Sequence, residues 1–203
     1  MWVVASPAIA SQEDHLPQVV PTASSFSTLD FQLASLARFP ERLTPSRAPT
    51  AAETEQLKIL LSQYSHQSDF ERLTLLEKYL KQYPDSPWRL ALRLNLGQLD
   101  FRQGYYERAI QAYKQAWQEG QQDAAHETRL IGLRDAAVGQ LLRMYASLGD
   151  KEQLQALLDE LGSQKLYGAA GQFLAITRGG LWHMISKWTE AYRCGPAALT
   201  SIV

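Results

Sequence analysis

The sequence predicts an all-α fold in which helix hairpins follow one another along the chain. Apolar side chains recur every three or four residues through most of the stretch 51–176, which is the period of one face of an α-helix. Short segments rich in glycine, serine or proline interrupt this pattern and indicate turns. The composition agrees, because 45% of the 203 residues are apolar and 20% are charged, enough for a core and a polar surface.

The clearest hairpin lies in the stretch 90–120, LALRLNLGQLDFRQGYYERAIQAYKQAWQEG. Gly104 is expected to end its first helix, since glycine adopts the left-handed backbone conformation without strain. Gly97 and Ala109 are small and are predicted to lie where the two helices approach closely. The apolar stripes of the two helices consist of Leu92, Leu96 and Leu99, and of Ala109, Ile110, Tyr113, Ala116 and Trp117.

This hairpin resembles a tetratricopeptide repeat, a helix–turn–helix unit of about 34 residues. The matching positions are Leu96–Gly97, Gly104, Tyr106, Ala109, Tyr113 and Ala116, whereas Asp100 stands where the family has an aromatic residue. The resemblance implies a right-handed solenoid that binds a peptide or protein partner. It places Gln98, Phe101 and Arg102 on the groove; in the alternative interpretation these residues pack on the neighbouring hairpin or face solvent.

Two further hairpins are predicted on either side of this one. The first spans 51–83 and turns at SHQSD, where Ser68 and Glu71 have the spacing of a capping box. The second spans 130–161 and turns at SLGD, with Gly149 as the turn glycine. A fourth, partial hairpin is predicted to begin with a helix over 165–176, and the segment GGLWHM that follows is interpreted as linker. The helical repeats are therefore expected to occupy residues 51–185.

Residues 1–50 are predicted to be mostly linker, because proline recurs among many serines and threonines. One short helix is expected near residues 29–39. Ala8-Ile9-Ala10 has the form of a signal-peptidase site. Either the start of a secreted precursor is truncated here, which would make the protein extracytoplasmic, or this is an ordinary N-terminus of a cytoplasmic protein.

The end of the chain, residues 186–203, does not follow the repeat pattern. Cys194 precedes Gly-Pro and an apolar run, so it is predicted to lie at a helix N-terminus, which lowers the pKa of a thiol. The segment CGPAAL resembles the catalytic-cysteine motif of papain-like peptidases that process double-glycine leaders, and that of related transglutaminase-like domains. The resemblance implies that Cys194 is the nucleophile and starts a truncated domain. Arg193 and Trp188 replace the family's acidic residue and glutamine.

The expected role of the whole chain follows from these parts. It is predicted to be a polypeptide-binding module from the N-terminal part of a larger bacterial exported protein with a cysteine peptidase-like domain. Because no His and Asp or Asn follow Cys194, the chain as it stands is not expected to hydrolyse anything. The alternative is a non-catalytic scaffold in which Cys194 lies buried in a helix that caps the solenoid.

The charge, the apolar runs and the motifs of the sequence argue against nucleic acid, a membrane span, metal ions and cofactors. The formal net charge is -1 and no basic patch is present, which argues against nucleic acid. No apolar run approaches the ~20 residues of a transmembrane helix. A single cysteine and isolated histidines give no metal site, and no cofactor-binding motif occurs.

Overall fold

The computed structural model describes residues 39–124 and 130–186, and within these residues the protein is all-α. Seven helices pack mostly in the order in which they occur in the chain. Each of the first six helices contacts the next one, and α5 also contacts α3 and α7. The helices are α1 (Ala51–Tyr64), α2 (Asp69–Gln82), α3 (Arg89–Arg102), α4 (Tyr106–Ala124), α5 (Ile131–Leu148), α6 (Lys151–Leu161) and α7 (Gly168–Ser186).

The first two helices begin with the same capping arrangement. At the start of α2 the Ser68 side chain accepts the Glu71 N–H, and the Glu71 carboxylate accepts the Ser68 N–H, which confirms the predicted capping box. Thr50 and Glu53 form an equivalent pair at the start of α1. Phe70 in the first turn of α2 is 65% exposed, because the buried face of this helix begins only with the next turn.

Glycines allow three successive pairs of helices to approach closely. A Cβ atom on Gly97 would lie 2.6 Å from a ring carbon of Tyr113, so α3 and α4 meet at the predicted position. Comparable distances of 2.9 Å separate such an atom on Gly120 from Arg134 of α5, and one on Gly139 from Ala170 of α7. The turn glycines Gly104 and Gly149 have positive φ angles of 81° and 70°, as their role requires.

Two helices are longer than the sequence indicates. Helix α4 continues to Ala124, through part of the polar run predicted as a loop or frayed end. Helix α7 begins at Gly168 rather than at 165, and it includes the GGLWHM segment that was interpreted as linker. Its buried residues explain the extension, since they keep a helical spacing across Gly179 and Gly180 and pack one continuous face; they are Ala170, Leu174, Thr177 and Leu181.

Parts of the prediction lie outside the described residues. These are the proposed signal remnant, residues 29–38 of the short helix, and the stretch that contains Cys194. Phe39, the last residue of that predicted helix, is described and is not helical. None of the helices within 39–124 and 130–186 has the length and apolar character needed to cross a membrane.

Candidate peptide-binding site

A non-helical segment that precedes Ala51 is part of the folded core. We call residues 39–47 the strap. Phe39 stacks on Tyr64 at the end of α1 with ring centroids 4.6 Å apart, and Ser46 donates its N–H to the Pro87 carbonyl just before α3. The strap therefore runs antiparallel to both α1 and α3. Leu43 in the middle of the strap is 0% exposed, so this part of the stretch predicted to be mostly linker packs on the helices.

Asn95 on α3 holds the backbone of the strap at Glu41. The side-chain oxygen of Asn95 accepts the Glu41 N–H at 3.0 Å, and its nitrogen donates to the Glu41 carbonyl, also at 3.0 Å. The same nitrogen donates to Ala91 one turn back, at 2.8 Å, which fixes the orientation of the amide. Asn95 is only 2% exposed, so these bonds are shielded from water. An amide that pairs with both backbone groups of one residue recognises an extended chain of any sequence.

The Glu41 side chain reaches a second residue of α3. Gln98 donates to the Glu41 carboxylate at 3.1 Å. Partial burial raises the pKa of Glu41 above its usual value, and the Gln98 hydrogen bond opposes this shift in part. Among the described residues no Lys, Arg or His lies within 4.0 Å of this carboxylate. The carboxylate of Glu41 is thus partly desolvated, and no cation of the described residues compensates it.

The C-terminal end of the strap is fixed by Arg47. Its guanidinium pairs with Glu53 at 2.6 Å and donates to the Asp85 carbonyl at 3.1 Å. The hydrogen bond from Arg47 contributes most to lowering the pKa of Glu53 to about 2. The Arg47–Glu53 ion pair lies at the exposed surface, where such pairs add little to stability. It therefore serves mainly to orient the strap.

The three residues predicted to line a groove all lie on α3, but they differ in surroundings. Gln98 contacts the strap. Phe101 is partly buried, and the Arg143 guanidinium of α5 lies 4.5 Å from its ring centroid. Arg102 is exposed. Cys194 lies outside the described residues, so its assignment as a nucleophile stays a prediction.

Several buried polar side-chain atoms of α4 and α5 have no hydrogen-bond partner within the described residues. They include Nε of Arg143 and Oε1 of Gln140, both on α5, and the hydroxyl of Tyr113 on α4. Burial raises the pKa of the Tyr113 hydroxyl, which the charges of Arg143, Asp100, Glu41 and Arg102 modulate. Most buried polar atoms in proteins are paired, so these three atoms are exceptions.

Sequence reasoning missed the strap and Asn95. Leu43 is a lone apolar residue in a proline-rich stretch, and no periodicity marks it as core. Asn95 lies within a leucine-rich helix, where its burial contradicts the usual preference of asparagine for the surface. Tyr113 and Trp117 of the predicted apolar stripe are buried, whereas the nearby Tyr105 and Tyr106 are exposed.

A separate acidic cluster lies between α2, α3 and α4. Asp100 is buried on α3 with its carboxylate 3.0 Å from the Arg108 guanidinium, which also pairs with Glu77. Desolvation raises the pKa of Asp100 from 3.8 to about 6, against the opposing effect of Arg108. These residues line a shallow depression of about 500 Å³ that is open to solvent.

The raised pKa of Asp100 predicts a pH-dependent stability. Between about pH 4 and pH 6 the folded protein binds a proton that the unfolded chain has lost, so the free energy of unfolding should fall as the pH rises through this range. The Asp100→Asn variant should lose this dependence. At pH 7.5 the free energy of unfolding of this variant should exceed that of the parent by about 1–3 kcal/mol. At pH 4 the two proteins should have the same free energy of unfolding. Urea unfolding at several pH values tests this; parallel pH profiles would contradict it.

The described residues hold no group of three or more His, Cys, Asp or Glu side chains that could bind a metal ion. In comparisons with known proteins, no family model matches the chain, and no curated protein or solved structure is significantly similar to it. The function must therefore be argued from the geometry of the strap and of α3.

Proposed function

We propose that the protein is a tetratricopeptide-like helical solenoid that binds an extended polypeptide along α3. The observation that carries this proposal is the pairing of the Asn95 amide with both backbone groups of Glu41. Those groups are present in every polypeptide, so the same amide would hold a partner's backbone in the same way. The site is preformed, because Asn95 is buried and oriented by Ala91.

The arrangement of the helices supports a repeat architecture. Helices α1 and α2, α3 and α4, and α5 and α6 form consecutive pairs joined by short turns, and α5 contacts both α3 and α7. Contacts between alternate helices are what a stack of hairpins requires. Stacking aligns the first helices of successive hairpins side by side, so a groove along α3 would continue onto α5.

Side chains beyond Asn95 favour an acidic partner. Arg102 is exposed at the end of α3, and Arg143 on the adjacent α5 has a buried Nε without a hydrogen-bond partner. Phe101 lies between α3 and α5 and offers an apolar surface beside these two cations. A partner with carboxylates and apolar side chains in alternation would match this pattern.

The remaining parts of the proposal rest on the sequence. The solenoid would be the N-terminal part of a larger bacterial exported protein, and Cys194 would begin a cysteine peptidase-like domain to which the solenoid presents its partner. An ordinary thiol pKa for Cys194 in the full-length protein, measured by iodoacetamide labelling, would remove this part. In the alternative, a non-catalytic scaffold, replacement of Cys194 by Ser leaves every function intact.

Selection from a displayed library of random 12-residue peptides tests polypeptide binding. We expect the enriched peptides to bind the full chain and to lose at least tenfold in affinity with the Phe101→Ala or Arg102→Ala variant. The matched controls are Lys78→Ala on α2 and Gln111→Ala on α4, which alter exposed residues of other helices and should change affinity less than twofold. A selection without enrichment, or equal losses with all four variants, would overturn the proposed function.

A further inference from the structure

We infer that the depression between α2, α3 and α4 binds a primary ammonium group on an aliphatic stem, as a lysine side chain of a partner polypeptide carries it. The depression has a volume of about 500 Å³ and is open to solvent. Four charged side chains of the three helices line it: Glu77, Asp100, Glu107 and Arg108. The inference goes beyond the proposed function, because it concerns a second site and a cationic ligand.

The depression lies on the side of α3 that faces away from the proposed peptide groove. Successive residues of an α-helix are about 100° apart around the helix axis, so Asp100 lies about 160° away from both Gln98 and Arg102. Leu96, which also lines the depression, precedes Asp100 by one turn and shares its side of α3. A ligand in the depression would therefore not compete with a peptide for Gln98 and Arg102.

The carboxylate of Asp100 is buried without a hydrogen bond. Asp100 is 2% exposed, and within the described residues no hydrogen bond reaches either oxygen of its side chain. The Arg108 guanidinium lies 3.0 Å from Oδ1 of Asp100, but without the geometry of a hydrogen bond. Most buried polar atoms in proteins are paired, and a carboxylate has room for several donors. Asp100 thus offers acceptor sites to a ligand that carries N–H groups.

Carboxylates outnumber cations in the depression. Among the described residues that line it are three carboxylates, those of Glu77, Asp100 and Glu107, and one cation, Arg108. Arg108 is shared between several groups, because its guanidinium also pairs with Glu77 and lies 5.1 Å from the ring centroid of Tyr105. A positively charged ligand would compensate part of the remaining negative charge, so the electrostatics of the depression favour a cation.

The lining favours an alkylammonium group over other cations. Leu96, Ile110 and Ala112 supply apolar surface, on which the methylene groups of a lysine side chain pack, whereas a hydrated metal ion gains nothing from it. The carboxylates belong to three different helices. The three N–H donors of an ammonium point in three directions, whereas a guanidinium presents its donors in one planar fork. We therefore expect an alkylammonium to bind more tightly than an alkylguanidinium.

Binding of the ammonium should compete with protonation of Asp100. Desolvation raises the pKa of this carboxyl to about 6, the charge of Glu77 raises it further, and Arg108 opposes both effects. The other titratable groups around Asp100 are Glu107, which lines the same depression, and the Tyr113 hydroxyl, whose pKa the Asp100 charge helps to raise. An ionised Asp100 lowers the stability of the free protein, and groups of this kind are typical of functional sites.

Titration of the full chain with n-butylamine at constant ionic strength tests the inference. The carboxyl carbon of Asp100, observed by NMR, reports binding at the site itself. We expect saturable shifts at pH 7.5 and an affinity about tenfold lower at pH 5, because the proton then occupies the carboxylate while the amine stays charged. Saturating n-butylamine should in turn lower the pKa of Asp100. Equal affinities at the two pH values would overturn the inference.

The decisive variant is Asp100→Asn. It should weaken binding of n-butylamine at least ~10-fold at pH 7.5 and remove the dependence on pH. This variant is expected to fold, since it is predicted to be more stable than the parent at that pH. The matched control is Asp159→Asn, which alters an exposed aspartate of α6 and should change the affinity less than twofold. Equal affinities of the parent and of Asp100→Asn would contradict the assignment of the site.

Related probes define the ligand. n-Butylguanidine should bind more weakly than n-butylamine, and equal shifts with n-butanol, which carries no charge, would show an apolar contact only and overturn the inference. Nα-acetyl-lysine methylamide should bind at least as tightly as n-butylamine. If diaminopentane bound at least ~10-fold more tightly than this lysine derivative, the assignment to a lysine side chain would be wrong. The peptide library tests the proposed function independently, because its variants alter Phe101 and Arg102 on the other side of α3.

Discussion

Replacement of Asp135 by Ala is expected to lower the free energy of unfolding by about 3 kcal/mol. Asp135 is 1% exposed, and its carboxylate accepts the Tyr167 N–H at 2.9 Å and two bonds from Arg134. Tyr167 immediately precedes α7, so one buried side chain of α5 fixes the start of the last helix. Alanine would leave the Tyr167 N–H without its acceptor and the Arg134 guanidinium without its counterion.

Two comparisons make the Asp135 prediction specific. Asp159→Ala removes an exposed aspartate of α6 whose side chain bonds with Gln155 within the described part of the chain, and it should change stability by less than about 0.5 kcal/mol. The Tyr167 amide should also lose protection from hydrogen exchange in Asp135→Ala, since that amide is the donor. In Asp135→Ala, both the free energy of unfolding measured with urea and the exchange rate of the Tyr167 amide should change. If both values matched those of Asp159→Ala, the role assigned to the Asp135 carboxylate would be wrong.

Replacement by alanine at two helical glycines is expected to change the free energy of unfolding in opposite directions. Gly97→Ala should destabilise the protein by about 1–2 kcal/mol, because the new methyl group would lie 2.6 Å from a ring carbon of the fully buried Tyr113. Overpacking of this kind costs about 1–3 kcal/mol, and the better helix propensity of alanine returns part of it. The bulkier Gly97→Val should cost more and should reduce the cooperativity of unfolding.

Gly179→Ala provides the matched control. Gly179 lies inside α7, is exposed and has nothing within 4 Å of the position of a Cβ atom. Alanine there gains helix propensity without a clash and should stabilise the protein by up to about 1 kcal/mol. Thermal unfolding of both variants is the measurement, and a gain in stability for Gly97→Ala would contradict the close packing of α3 on α4.

The hairpins were predictable from the sequence because their signals are local. Ser68 and Glu71 lie three residues apart, and Gly149 follows directly on the last turn of α5, so neighbouring residues specify these boundaries. The stripe of Leu57, Leu60 and Leu61 likewise became the buried face of α1. The end of α7 was not predictable in this way, because two adjacent glycines normally indicate a break, whereas packing of α7 on α5 and α6 joins residues that are distant in sequence.

The candidate site could be predicted only in part, since its contacts join residues far apart in sequence. Gln98 was expected on a groove through the family resemblance, which stays a prediction; in the structure its side chain donates to Glu41 of the strap. The segment itself lies 54 residues before Asn95, and no periodic pattern links the two. A single amide in a leucine-rich helix and a single leucine among prolines carry no recognisable signal until the chain has folded and brought them together.

The glycines at successive helix contacts bear on how the molecule responds to change. Gly97, Gly120 and Gly139 set the separation of α3 from α4, of α4 from α5 and of α5 from α7. Each helix is positioned mainly by its neighbours. A small rotation at one helix contact therefore also displaces the helices that follow it in the chain. A larger side chain at Gly139 would leave the strap and Asn95 untouched and would still move α7. Such a change would alter the angle at which α7 lies on α5 without altering the sequence of either helix elsewhere.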